Sequence, residues 1–155
     1  MDKIKGKRKR ALRFIGSEGK RLRAVGIWVL SAINHIGWFL NEKDNVDSSY
    51  YLEVAASEFK VQGLEIDYVL LAWDADFRYE NGQFKYYHYR GNRWNTIHSE
   101  QIKRNLKNAY RVLLTRARQG IVIFIPIGND KDPSRKSSYY DGVYDYLKRI
   151  GVEEI

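Results

Sequence analysis

Residues 108–126, "NAYRVLLTRARQGIVIFIP", join a segment of helical character to an apolar, β-rich run. Two arginines, Arg116 and Arg118, lie at the junction, and Gly120 stands where a C-terminal helix cap is expected. Cations near a helix C-terminus interact favourably with its dipole, by about 0.3–1 kcal/mol. That is the simplest explanation for the two arginines, and a more specific one needs support from the rest of the chain.

The apolar runs on either side of this junction predict a mostly parallel sheet. Residues 121–126 ("IVIFIP") and 68–73 ("YVLLAW") are continuously apolar, as expected of strands covered on both faces. Residues 11–17 ("ALRFIGS") predict a short strand that runs into a loop, and residues 51–57 ("YLEVAAS") form another short run. Because helical segments alternate with these runs, we expect one α/β domain, a mostly parallel sheet with flanking helices.

Three segments have helical periodicity. Residues 99–114 place Ile102, Leu106, Ala109 and Leu113 on one face. Residues 26–44 carry helix-compatible apolar spacing at Ile33, Ile36 and 38–40. Residues 137–151 predict a docking helix that begins with a Ser138/Asp141 capping box and stops at Gly151. Its apolar stripe consists of Tyr139, Val143, Tyr146, Leu147 and Ile150.

An antiparallel hairpin is predicted at residues 77–94, "FRYENGQFKYYHYRGNRW". The dipeptide Asn81-Gly82 between alternating aromatic arms is the strongest short hairpin signal. Two functions are open for the aromatic side chains of this hairpin: stacking on nucleic-acid bases, or packing within the protein. The residues concerned are Tyr86, Tyr87, Tyr89 and Trp94.

Positive charge is concentrated at the N-terminus. The net charge is +8, and residues 1–23 hold ten Lys or Arg against two acids, so the rest of the chain is neutral. This asymmetry favours contact with nucleic-acid phosphates, and a solvated leader at residues 1–10 is the competing interpretation. The candidate phosphate-binding residues are Lys7, Arg8, Lys9, Arg10, Lys20, Arg21 and Arg23. With no cysteine, signal peptide or apolar membrane span, we expect a cytoplasmic protein.

Other candidate chemistries are weaker. Residues 14–22 resemble a phosphate-binding loop, but Phe14 and Arg21 occupy positions where glycine and Ser or Thr are needed. Asp74 and Asp76, with Glu80 nearby, follow a predicted strand and leave open a magnesium-dependent nuclease, although such pairs are common in loops. The three histidines share no ligand spacing.

Two stretches resemble motifs V and VI of superfamily 1 helicases: residues 57–77, "SEFKVQGLEIDYVLLAWDADF", and residues 106–124, "LKNAYRVLLTRARQGIVIF". More closely, the chain from about residue 50 resembles the schlafen group 3-like DNA/RNA helicase domain family. The likeness includes "VQGLEID", "WDADF", "RGNRW" and the ending "YYDGVYDYLKRIG". It implies that residues 11–155 form a RecA-like C-terminal lobe, without a phosphate loop and with a hairpin inserted at about 76–95.

The resemblance also implies roles in an ATP site shared between two lobes. Arg116 would be the arginine finger, and Glu65 would contact the nucleotide ribose beside Gln62 and Gly63. Arg118 would pair with phosphate or carboxylates. ATP, Mg²⁺ and an N-terminal RecA-like lobe carrying the Walker motifs are the implied cofactors and partner, with DNA or RNA as substrate.

A complete enzyme of this kind also carries the phosphate loop and the acidic magnesium motif, which this sequence lacks. We therefore expect no ATPase activity from the chain alone. The alternative function is a non-catalytic nucleic-acid-binding module, in which the N-terminal lysines hold phosphates and the hairpin aromatics stack on bases. A split gene product, a fragment and a free-standing lobe are equally compatible with the sequence.

Overall fold

The larger sheet in the described part of the chain has five parallel strands. The structure is a computed structural model that describes residues 11–15, 19–29, 54–57 and 66–155, with side chains described in 19–27 and 66–155. The strands are β1 (Ala11–Ile15), β2 (Trp28–Val29), β3 (Val54–Ser57), β4 (Ile66–Ala72) and β8 (Ala117–Phe124). Their spatial order is β2-β3-β1-β4-β8, and each neighbouring pair is parallel. The predicted α/β class with a mostly parallel sheet is confirmed.

A smaller antiparallel sheet is inserted after β4. It consists of β5 (Phe77–Glu80), β6 (Gln83–Arg90) and β7 (Arg93–Thr96), in that order. Asn81 and Gly82 have φ angles of 51° and 81°, as a type I′ hairpin turn requires, so the predicted hairpin is confirmed. A second turn at Gly91 and Asn92 adds β7 as a third strand.

The helix before β8 is α1 (Glu100–Leu114). Ser99 caps it by accepting a hydrogen bond from the Ile102 amide at 3.5 Å. Ala109 and Leu113 are buried as predicted, whereas Ile102 is 53% exposed because the first turn projects beyond the core.

The predicted cap at Gly120 is wrong. The helix ends five residues earlier, where Thr115 donates its amide and hydroxyl hydrogens to the Arg111 carbonyl. Gly120 lies inside β8, opposite Tyr68 of β4. Its lack of a side chain leaves space for the Tyr68 ring, since a Cβ there would lie 3.3 Å from two ring carbons.

The last helix, α2 (Ser138–Arg149), packs against β5 and the core. Tyr140, Val143 and Leu147 are its buried residues, and the predicted stripe members Tyr139 and Tyr146 are half-buried. The predicted capping box is wrong, because the N-cap is Ser137 and its side chain makes no capping bond. Gly151 follows the helix with a positive φ, which confirms the predicted stop.

Close contact between α2 and β5 depends on Gly142. A Cβ at this position would overlap the carbonyl oxygen of Tyr79, so only glycine allows the observed helix–strand separation.

The main core lies between the parallel sheet, α1, α2 and the hairpin. Val69 and Leu71 of β4 face Tyr110 and Leu113 of α1. The other buried members are Ile66, Trp73, Phe77, Val143 and Leu147. Leu22 and Ile27 form a smaller cluster with Ala72. The aromatic residues of the main core pack the antiparallel sheet against the parallel sheet.

The stretch at residues 26–44 was predicted as a helix, but Trp28 and Val29 pair with β3 as strand β2. The apolar positions Ile33, Ile36 and 38–40 lie outside the described residues, as does the leader at 1–10. Among the described residues, no helix is long and apolar enough to cross a membrane.

Candidate functional site

Arg116 occupies the link between α1 and β8. Its amide donates a hydrogen bond to the Leu113 carbonyl at 3.5 Å, and its carbonyl accepts one from the Ile66 amide at 3.4 Å. The side chain is half-buried. Two backbone hydrogen bonds therefore fix the position from which this guanidinium extends.

Arg116 does not lie at the ends of the strands where open α/β folds usually bind ligands. Open α/β folds place ligands outside the carboxyl ends of their strands. Here Ala117 and Ile66, the first residues of β8 and β4, are register partners, so Arg116 lies at the amino ends. The reason is topological: α1 leads directly into β8, and its last turn must reach the end where that strand begins.

The same edge carries a polar bridge that the sequence did not reveal. Gln119 donates its side-chain amide to Asp67 Oδ1 at 3.0 Å and accepts the Tyr68 hydroxyl at 3.1 Å. These bonds connect β8 with β4 over a separation of about fifty residues, which no local pattern can indicate. The bridge stabilises the strand register beside Arg116.

Arg118 belongs to the strand and not to the helix end. It is the second residue of β8, and it is exposed. A helix-dipole role therefore fits Arg116 better than Arg118, since the dipole effect fades beyond the last turn.

Gln62, Gly63 and Glu65, which the resemblance assigns to the nucleotide, lie outside the described residues. The segment that holds them is followed directly by Ile66 in the sequence. Since the Ile66 amide donates to Arg116, the segments that resemble motifs V and VI are joined by backbone hydrogen bonding at Ile66 and Arg116.

Asp74 and Asp76 lie beyond the opposite, carboxyl end of β4 and are buried, with 1% and 4% exposure. The Tyr110 hydroxyl donates to Asp76 Oδ1 at 2.7 Å and accepts from the Asp74 amide at 3.3 Å. Asp74 Oδ1 accepts the Ala75 amide at 2.8 Å. Burial, with the nearby Asp76 and Asp74, raises the pKa of Tyr110 well above its usual value.

This arrangement does not support the nuclease interpretation. Catalytic magnesium needs carboxylates that water and substrate can reach, whereas Asp74 and Asp76 are enclosed by protein. In the part of the chain that the structure describes, no group of three His, Cys, Asp or Glu side chains could hold a metal ion. The two aspartates instead organise the loop between the sheets.

Arg78 is a buried cation that the sequence reasoning missed. Its Nε donates to the Ala75 carbonyl at 2.7 Å, and its guanidinium carbon lies 4.0 Å from the ring centroid of Tyr87 and 3.5 Å from that of Tyr139. Burial lowers the pKa of Arg78, while Tyr139 and Glu80 oppose the shift. Strand alternation places Arg78 on the opposite face of β5 from Phe77, so the local pattern predicts an exposed side chain and gave no signal of this burial.

The aromatic side chains of the hairpin are engaged in packing. Tyr86 lies 5.3 Å from Phe77, and Tyr89 meets Trp94 edge-on at 5.1 Å between ring centroids. Tyr87 donates its hydroxyl to Glu80, and Trp94 donates its indole N–H to the Ser134 carbonyl. The geometry therefore favours packing over base stacking.

The predicted phosphate-binding residues are not equivalent. Lys20 and Arg23 are exposed, whereas Arg21 forms an ion pair with Asp132 at 2.8 Å and lies over the Tyr89 ring. Hydrogen bonds from Ser134 and Arg135 hold the pKa of Asp132 well below its usual range. Arg21 thus stabilises the loop before α2. Lys7, Arg8, Lys9 and Arg10 lie outside the described residues.

A parallel sheet with flanking helices, in which Arg116 lies at a helix–strand link, defines an α/β domain. The chain belongs to the Schlafen group 3, DNA/RNA helicase domain family, whose model matches residues 16–126, more than half of the sequence. It therefore contains a helicase-like domain. Comparisons with curated proteins and with solved structures gave no match.

Proposed function

We propose that this chain is the C-terminal lobe of a superfamily 1-type DNA/RNA helicase ATPase and supplies Arg116 to an ATP site shared with a second lobe. The observation that carries the proposal is the hydrogen bond between Ile66 and Arg116. It joins the segments resembling motifs V and VI at one edge of a sheet in a chain of the helicase-domain family.

The position of Arg116 suits a phosphate ligand. Its guanidinium is permanently charged and planar, so it can donate two parallel hydrogen bonds to phosphoryl oxygens. The link between α1 and β8 holds its backbone at both ends, which reduces the conformational entropy lost when a second lobe closes on it. An arginine finger stabilises charge that develops on the transferring phosphoryl group.

The remaining parts of the site would come from a partner lobe and from another segment of this chain. A partner lobe with Walker motifs would hold the phosphates of ATP and Mg²⁺, and Glu65, beside Gln62 and Gly63, would contact the ribose. Arg118 would add positive charge near the site without reaching the transferred phosphate. The chain alone is then expected to show no ATP turnover.

The test is ATP turnover by an assembly of this chain with a Walker-motif lobe from the same family. Arg116→Lys keeps a cation at the helix end but removes the planar fork. We expect turnover to fall by about 10³-fold or more, since arginine fingers contribute about 10³ to 10⁵ in rate. Thermal unfolding of the variant should match that of the unmodified chain.

Arg118→Lys is the matched control, because it makes the same change two residues away on the exposed strand. Its turnover should stay within a few-fold of the unmodified assembly. Equal and mild effects of the two substitutions would reduce Arg116 to a residue that complements the helix dipole, and the proposed function would be wrong.

A further inference from the structure

The outward face of α1 carries a row of positive charge. Ala109, Tyr110 and Leu113 are buried on the inner face. At 3.6 residues per turn, the opposite side presents three basic residues within an arc of about 60°, over about 10 Å of helix length. These residues are Arg104, Lys107 and Arg111, all exposed, and we call them the basic stripe.

Within α1 and the other described residues, little negative charge compensates the stripe. The only acid of α1 is Glu100, which pairs with Lys103 at 2.8 Å. This pair lowers the pKa of Glu100. Among the described residues, no ion pair involves Lys107 or Arg111, although the two lie one turn apart and repel each other. A helix that only needed a solvated surface would gain from acids at these positions.

The spacing of the stripe fits a phosphate backbone. Lys107 and Arg111 are separated by four residues, which is about 6 Å along the helix axis. Consecutive phosphates of one duplex strand advance by about 3.4 Å along the duplex axis, and the two flexible cations can contact separate phosphates of one strand. Flexible side chains of this length adapt to strands of either sugar type.

We propose that the basic stripe on α1 is a nucleic-acid phosphate-binding surface, in addition to the N-terminal basic residues. This inference rests on the nucleic-acid-binding part of the proposed function. Helix α1 would then have two functions. Its outer face would contact the nucleic-acid strand, and its C-terminal end would position Arg116.

The test uses the full chain and a fluorescein-labelled single-stranded DNA of about 20 nucleotides. Anisotropy titrations between about 50 and 200 mM salt give the salt slope, which falls by about 0.7 for each lost phosphate contact on single strands. In the triple variant Arg104→Gln/Lys107→Gln/Arg111→Gln, the magnitude of the salt slope should be smaller by about two, since three contacts are lost. Glutamine preserves helix propensity, so the fold should remain intact.

A control variant removes equal charge elsewhere. Arg90, Arg93 and Lys136 are exposed and lie on the hairpin turn and on the loop before α2. Changing these three residues to Gln should leave the salt slope nearly unchanged. Lys107→Arg, which keeps the positive charge, should leave the salt slope fully unchanged.

Three outcomes would overturn the inference. An unchanged slope in the stripe variant would place the binding surface elsewhere, and an equal loss in the control would show dependence on net charge alone. No binding by the unmodified chain would contradict the nucleic-acid part of the proposed function as well. Because these titrations contain no ATP, their failure is distinct from failure of the Arg116 experiment.

Discussion

Tyr110 is the side chain on which the loop between the two sheets depends. Its ring centroid lies 4.6 Å from that of Trp73 and 4.9 Å from that of Phe77. Its hydroxyl donates a hydrogen bond to Asp76 and accepts one from the Asp74 amide. Tyr110→Phe keeps the ring and removes the hydroxyl, so two buried groups lose a partner. We expect a loss of about 1–3 kcal/mol in unfolding free energy, measured by urea titration.

Tyr68→Phe is the matched control for that prediction. It removes a hydroxyl whose bond to Gln119 is exposed, so water can replace the lost partner. The cost should stay below about 0.5 kcal/mol. Similar costs for the two substitutions would contradict the role of Tyr110.

The same hydroxyl predicts a dependence of stability on alkaline pH. The pKa of Tyr110 is raised in the folded protein, so the unfolded chain releases this proton first, at its ordinary pKa of about 10. The stability that the Tyr110 hydroxyl contributes is therefore fully present below about pH 10. It is lost as the pH rises above that value towards the raised pKa of the folded protein. Unfolding measured between about pH 9 and 11 should show a smaller decline in Tyr110→Phe than in the unmodified chain.

At the scale of elements, the approach of α2 to β5 is controlled by one missing side chain. Gly142→Ala would gain about 1 kcal/mol in helix propensity, but its methyl group would overlap the Tyr79 carbonyl oxygen. Because backbone must move to accept it, we expect net destabilisation of about 1–3 kcal/mol in urea unfolding. Asp145→Ala, at an exposed position of α2, should be neutral or stabilising, and a stabilising Gly142→Ala would disprove the steric constraint.

Elements with a strong local signal could be predicted, and features that depend on distant partners could not. Asn81-Gly82 and the run at 68–73 specify a turn and a strand by their own chemistry. Gly120 satisfied a helix-cap pattern equally well, and only pairing with Tyr68 of β4 makes it a strand residue. The burial of Asp74 depends on a hydroxyl 36 residues away, so its loop pattern also fitted a metal site.

Prediction of the candidate site had the same limit. The resemblance to motif VI made Arg116 a candidate, but the end of the sheet on which it lies follows from the direct connection of α1 to β8. The polar bridge at Gln119 and the cation–aromatic contacts of Arg78 join residues far apart in the chain. Such contacts have no signature in a local window.

At the scale of the whole molecule, the proposed binding of nucleic acid has two basic regions, the leader and the basic stripe. Deleting residues 1–10 removes six Lys or Arg (Lys3, Lys5, Lys7, Arg8, Lys9 and Arg10) and one acid, Asp2. If the leader contacts phosphates, both affinity and the salt slope should fall, by about 0.7 per contact on single strands. An unchanged slope in the same anisotropy assay would show that the leader makes no phosphate contacts.

The position of β8 at the end of the described sheet has a consequence for solubility. Only β4 pairs with it there, so one row of its backbone amides and carbonyls faces away from that sheet. Such a row can recruit a strand from another molecule and begin aggregation, above all beside exposed apolar side chains such as Val122 and Phe124. A charged residue on an edge strand opposes this association. We therefore expect Arg118, an exposed charged residue of β8, to oppose self-association at high concentration, independently of any nucleotide.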